Sequence, residues 1–248
     1  MKSCHGTFDH QQKQKSSTER ELLAIKYFLL SLTREISHEI VNIRTNNYTA
    51  SRIIEIGSPK HNLQNLAIEI FEICLKHDIK LLPTWIPREE NQFADYYSKI
   101  VDTDDWSIDN LTFRRICAEF GKPTVDRFAD DKNKKCSQFN SKYHCPGSSA
   151  VNAFTEDWST VSLNWLSPPI KNIIDCIKHL RLCKARGILI VPQWPSSHFW
   201  PSLHNGIGFE YFIKRVIITK PYYTSTCETS MFKGFMSFNT IAMLIDFS

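Results

Sequence analysis

Gly187-Ile188-Leu189-Ile190-Val191 is a short, continuous apolar run, the pattern of a strand buried on both faces of a sheet. Upstream of it, Ile170, Ile173, Ile174 and Ile177 recur at helical spacing. Ahead of that helix, residues 162–166 read as a second strand, ending at Ser167-Pro168-Pro169. Ser167 can cap the helix, and Pro168 can take its first position, where no amide hydrogen is needed. A strand, a helix and a second strand in this order make a parallel α/β unit.

The pattern extends outward from this unit. Residues 124–129 are strand-like, residues 130–149 are polar and loop-rich, and residues 213–219 read as a further strand. An amphipathic helix over 111–120 uses Phe113, Ile116, Cys117 and Phe120, and Gly121-Lys122-Pro123 closes it. The acidic, tryptophan-containing stretch 101–109 reads as a linker. In the first hundred residues, Thr18 and Glu21 have capping-box spacing ahead of a helix expected to reach Leu32. A strand over 39–44 and a helix over 48–56, stopped by Gly57, come next. Residues 61–77 place Leu63, Leu66, Ala67, Ile70, Phe71 and Cys74 on one helical face. A strand over 79–85, interrupted by Pro83, precedes a short helix over 91–100. The expected organisation is α/β in both halves: a first lobe over 1–100, a linker and helix over 101–123, and a second lobe over 124–248.

Composition is that of an ordinary globular chain of 248 residues, with 42% hydrophobic and 23% charged residues. The net charge of +4 is compatible with nucleic-acid binding without demanding it. Of the eight cysteines, Cys74, Cys117, Cys176 and Cys183 fall in apolar helical settings, which suits reduced thiols in an intracellular protein, in cytoplasm or nucleus. No apolar run has the length of a membrane span, and no leader peptide is visible. Cys136, His144 and Cys145 lack the paired spacing of a structural zinc site. Lys132, Lys134 and Lys135 form a basic cluster that could meet phosphate.

Three strings carry a resemblance: Glu21-Leu22-Leu23-Ala24, Thr45-Asn46-Asn47, and Trp85-Ile86-Pro87 leading through Asn91 to Ala94-Asp95. Their order and spacing resemble the ribonuclease H part of a retroelement reverse transcriptase. Farther on, Asp105-Trp106, Pro123-Thr124-Val125-Asp126-Arg127-Phe128-Ala129, Trp165-Leu166-Ser167-Pro168-Pro169 and Val191-Pro192-Gln193-Trp194-Pro195 look like the C-terminal region of DIRS-type retrotransposon polyproteins. The resemblance implies a truncated ribonuclease H-like lobe followed by a second, Rossmann-like α/β lobe. It implies metal-dependent hydrolysis of RNA in an RNA–DNA hybrid, with Glu21, Asn46 and Asp95 as catalytic residues and Glu21 and Asp95 as ligands of Mg²⁺. Because Asn46 stands where the family has Asp, the chain is expected to be impaired as a nuclease, a polyprotein fragment with a degenerate active site. A non-catalytic nucleic-acid-binding or scaffold module is the alternative from another class.

The second lobe offers a third reading, since the same family region has been likened to phage-type adenine methyltransferases. Asp126, on a strand, and Ser167-Pro168-Pro169, after a strand, would then be the cofactor-binding residues. In methyltransferases such a loop holds the target amine, and a following aromatic stacks on the extruded base. Here the fourth residue is Ile170, and no glycine-rich turn is evident, so adenosylmethionine is not expected as a cofactor.

Overall fold

The computed structural model describes residues 4, 6, 8–98, 106–225, 227 and 230–248. It is a mixed α/β protein that divides into two compact units, Met1–Ile100 and Val101–Ser248. Among the described residues, no helix is long and apolar enough to cross a membrane.

The first unit contains α1 (His10–Lys13), α2 (Ser17–Ile36), β1 (Ile40–Thr45), α3 (Tyr48–Ile56), α4 (His61–Lys76), β2 (Lys80–Trp85) and α5 (Gln92–Ser98). β1 and β2 pair in parallel, from Ile40 opposite Lys80 to Thr45 opposite Trp85. Leu22, Ile25 and Leu29 of α2 pack with Ala50 and Ile53 of α3 and Leu63, Ile70 and Cys74 of α4. The cap of α2 is Ser16, two residues earlier than expected. Its hydroxyl accepts the Glu19 amide, and the Glu19 carboxylate takes the Ser16 amide in return. The helix also runs past Leu32, whose backbone (φ −122°, ψ 16°) kinks it without ending it. Pro83 does not interrupt β2. The amides of Lys80 and Ile86 bond to β1, so alternate residues face the partner strand and Pro83 falls on the outer edge, where it removes no ladder bond.

The second unit contains β3 (Ser107–Ile108), α6 (Asn110–Phe120), β4 (Val125–Asp126), β5 (Gln138–Ser141), β6 (Ala150–Val151), β7 (Asn164–Leu166), α7 (Ile173–Leu182), β8 (Arg186–Pro192), β9 (Ile213–Thr219), β10 (Tyr222–Thr224), β11 (Gly234–Phe235) and β12 (Thr240–Asp246). Seven of these strands form one sheet in the order β6-β5-β4-β7-β8-β12-β9. β6, β5, β4, β7 and β8 are parallel neighbours, whereas β12 is antiparallel to both β8 and β9. The chain therefore builds outward from β4 through β5 to β6, then returns to the other side of β4 and builds through β7 to β8. β10 joins β11 and β3 in a smaller antiparallel sheet.

β8 is the spine of the large core. Ile188, Leu189, Ile190 and Val191 are all fully buried, each contributing on the order of 2 kcal/mol. Leu189 and Val191 face one core with α7, and Ile188 and Ile190 face the other with α6. Several expectations are corrected. Part of the expected linker, residues 101–105, lies outside the described residues, but Trp106 is buried and Ser107–Ile108 is a strand. The strand at 124–129 shortens to two regular residues, although the Arg127 amide still bonds to Trp165 of β7 and the Ala129 amide to Asn140 of β5. β5 lies inside the stretch read as loop, and β12 lies where no strand was read.

Candidate active site

In the first unit, Thr45 at the end of β1 donates its hydroxyl to Glu21 of α2 at 2.5 Å. The next residue, Asn46, offers its carbonyl to the indole N–H of Trp85 at 3.2 Å. Glu21 and Asn46 are thus gathered at one end of the two-stranded sheet. Asp95 stands exposed in the first turn of α5, a separate element. Among the described residues, no group of three or more His, Cys, Asp or Glu side chains could hold a metal ion.

In the second unit, Asp126 ends β4 and Ser167-Pro168-Pro169 follows β7, the strand beside it in the sheet. These are the two strands between which the chain reverses its building direction. Ligands of open α/β sheets bind in the crevice at the carboxyl ends of such strands. Asp126 is 1% exposed and accepts the amides of Lys135 at 2.9 Å and Phe128 at 3.3 Å. Burial pushes its carboxyl up to about 6, against the pull of those amides. Beside it lies a cleft of about 500 Å³ lined by Ser107, Asp109, Asn110, Lys132, Lys135 and Thr224, among others. Lys135 joins the two, since its amide holds Asp126 while its ammonium donates to Asn110 across the cleft. Arg127, the next residue, lies on the other side of the sheet. It donates to Asn164 and Asn140, at 2.8 Å each, and sits over the Trp158 ring.

Ser167 does not cap a helix. The chain instead enters a short 3₁₀ turn, Ile170–Asn172, whose cap position is Pro169, and α7 begins only at Ile173. The Ser167 hydroxyl makes no hydrogen bond among the described residues, although the residue is only 7% exposed. Two buried indole N–H groups, of Trp106 and Trp165, also have no acceptor among the described residues. Trp106 immediately precedes the cleft residue Ser107, and Trp165 stands opposite Asp126 in the sheet register. Such unsatisfied donors cost about 1–3 kcal/mol each unless something fills the shell.

Residues 97–215 match the family model of DNA N-6-adenine-methyltransferase (Dam). This is just under half of the chain and covers β3 through β8 and the start of β9. No curated protein matches the chain. The match overturns the reading as a ribonuclease H-like, DIRS-type retrotransposon reverse transcriptase fragment, because the family found is a methyltransferase and neither a nuclease nor a polymerase. It equally overturns both cofactor expectations, Mg²⁺ as the cofactor and the exclusion of adenosylmethionine, since that family uses adenosylmethionine. Ile170 and the missing glycine-rich turn misled because both concern only how a ligand is gripped. The sheet that sets where a ligand would lie does not depend on either.

The polar residues lining the cleft near the end of β4 are of the kinds that adenosylmethionine would need. The cleft has the volume of a small-molecule site. Its lining offers the Asp109 carboxylate, the Asn110 and Asn133 amides and the Lys132 and Lys135 ammonium groups to a ligand carrying an amine, hydroxyls and a carboxylate.

Proposed function

We propose that the second unit is a Rossmann-like, adenosylmethionine-dependent methyltransferase domain acting on the exocyclic amine of adenine in DNA. The observation that carries this reading is the meeting of Asp126 and Ser167-Pro168-Pro169 at the switch point of the sheet. The strand order supports it. Numbered along the chain, the sheet runs third, second, first, fourth, fifth, seventh, sixth. That is the doubly wound dinucleotide-binding order with one antiparallel strand inserted between the fifth and sixth. The family match over 97–215 supports it independently.

Adenosylmethionine supplies an electrophilic methyl group on a sulfonium. Asp126 and the 132–135 turn would hold it. Asp126 carries the negative charge suited to its cationic groups, and Lys135 the positive charge suited to its carboxylate. The Ser167 oxygen accepts a hydrogen from the substrate amine and orients the nitrogen lone pair. A serine accepts this bond without the negative charge of an aspartate, so the domain should be a modest catalyst. Pro168 is buried and Pro169 half-buried, and both fix the backbone on which Ser167 sits. The test is transfer of radiolabelled methyl from adenosylmethionine to DNA, with digestion to nucleosides. N6-methyl-2′-deoxyadenosine that disappears in Asp126→Ala is the expected result. Absence of any labelled nucleoside at high enzyme concentration would reject the proposal.

A further inference from the structure

The connection between β9 and β12 leaves and rejoins the large sheet at one end. Thr219 closes β9 and stands opposite Thr240, which opens β12 and stands opposite Pro192 at the carboxyl end of β8. β10 and β11 lie in that connection and pair with each other and with β3. The small sheet is therefore anchored at the carboxyl end of the parallel strands, the end that carries Asp126 and Ser167.

Side chains alternate between the two faces of a sheet. Tyr223 and Ile108, opposite each other in the register, are buried in one core. The other face carries Tyr222 with its partner Phe235, and Thr224 with its partner Ser107. Ser107 and Thr224 line the cleft, so this face is a wall of the cleft, and Tyr222 and Phe235 extend that wall. Asp109, another cleft residue, fastens it in place. Its amide donates to the Tyr222 carbonyl and its carboxylate accepts the Tyr222 amide, both at 2.9 Å.

Phe235 is 75% exposed and Tyr222 45%. Their rings meet edge to face, with centroids 5.2 Å apart and planes at 85°. A ring three-quarters exposed keeps a face in water. Lys220 and Lys233, each two residues before one of these aromatics, are exposed and make no ion pair among the described residues. Residues 220–225 and 230–236 contain no acid, and the cleft adds Lys132, Lys134 and Lys135. Open aromatic rings among unpaired cations suit single-stranded nucleic acid, with bases on the rings and phosphates on the lysines. A second copy of this face would set lysine against lysine.

We propose that the Tyr222–Phe235 face of the small sheet is the seat of a single DNA strand beside the cleft. This rests on the methyltransferase reading and adds the surface that holds the substrate. The test is fluorescence anisotropy of end-labelled oligodeoxyadenylate titrated with the full chain at several salt concentrations. The wild type should bind, with affinity falling as salt rises. Phe235→Ala should bind about tenfold more weakly or worse, with adenosylmethionine affinity, by calorimetry, unchanged. In the double variant Lys220→Gln, Lys233→Gln, the slope of log affinity against log salt should be shallower by about one or more. A wild type that does not bind the oligonucleotide, wild-type binding by Phe235→Ala, or an unchanged salt slope in the double variant would overturn the proposal. So would a Phe235→Ala variant that loses adenosylmethionine and keeps DNA, since the ring would then serve the cofactor's own adenine. Failure of the wild type to bind adenosylmethionine, with the oligonucleotide results as expected, would strike the methyltransferase reading alone.

Discussion

Asp126 is the side chain through which pH acts most directly. Its carboxyl is raised from 3.8 to about 6 by burial. Below the unfolded value it is protonated in both states and contributes nothing. As pH rises from about 4 to 6, the unfolded chain ionises first, so stability is lost across that window, by about 3 kcal/mol in total. Urea unfolding of wild type and Asp126→Asn from pH 4 to 7 should show the wild type losing stability relative to the variant by roughly that amount. A difference that does not change with pH would mean that Asp126 is not buried as described. Ser167 supports a second prediction at the same scale. Ser167→Ala removes one accepted hydrogen bond to the amine. It should slow methyl transfer about tenfold while leaving adenosylmethionine affinity unchanged, whereas Ser167→Asn should keep the rate within a few-fold. Equal loss of rate and cofactor affinity in Ser167→Ala, by kinetics and calorimetry, would assign Ser167 to the cofactor and not to the amine.

At the scale of elements, β8 decides the architecture, and Gly187 at its start decides how closely α7 and β7 approach it. A Cβ there would lie 2.5 Å from Leu166 Cδ1 and 3.3 Å from Leu180 Cδ2. Gly187→Ala should therefore lose about 1–3 kcal/mol of stability in urea unfolding; an unchanged midpoint would show that the packing yields. Long apolar or amphipathic segments were legible: β8 over Gly187–Val191, α4 from its one-sided pattern, and α6 from Phe113, Ile116 and Phe120. Short strands were not. β5 has only four residues, and β4 two. Pairing across the sheet, which no local pattern records, makes these strands. Ser167 and Pro168 looked like a helix start because capping residues mark one; the chain instead enters a 3₁₀ turn at Ile170–Asn172, and α7 starts six residues after Ser167.

At the scale of the whole molecule, every residue assigned to the methyltransferase site lies in Val101–Ser248. In the first unit, Glu21 and Asn46 come together around Thr45, where the strings that suggested a nuclease converge on a shared strand end. The nuclease reading rested on the order of short strings, which fixes neither a family nor a third acid: Asp95 stands exposed on a separate helix, and the family match over 97–215 is to a methyltransferase. A chain shortened to residues 97–248 should bind adenosylmethionine as tightly as the full chain; a large loss of affinity would tie the first unit to the site. The most direct measurement is calorimetric titration of the full chain with adenosylmethionine at pH 7.5, alongside Asp126→Ala. A saturable one-to-one heat that Asp126→Ala abolishes is expected, and no heat in the wild type, or the same heat in both, would contradict the assignment of the site.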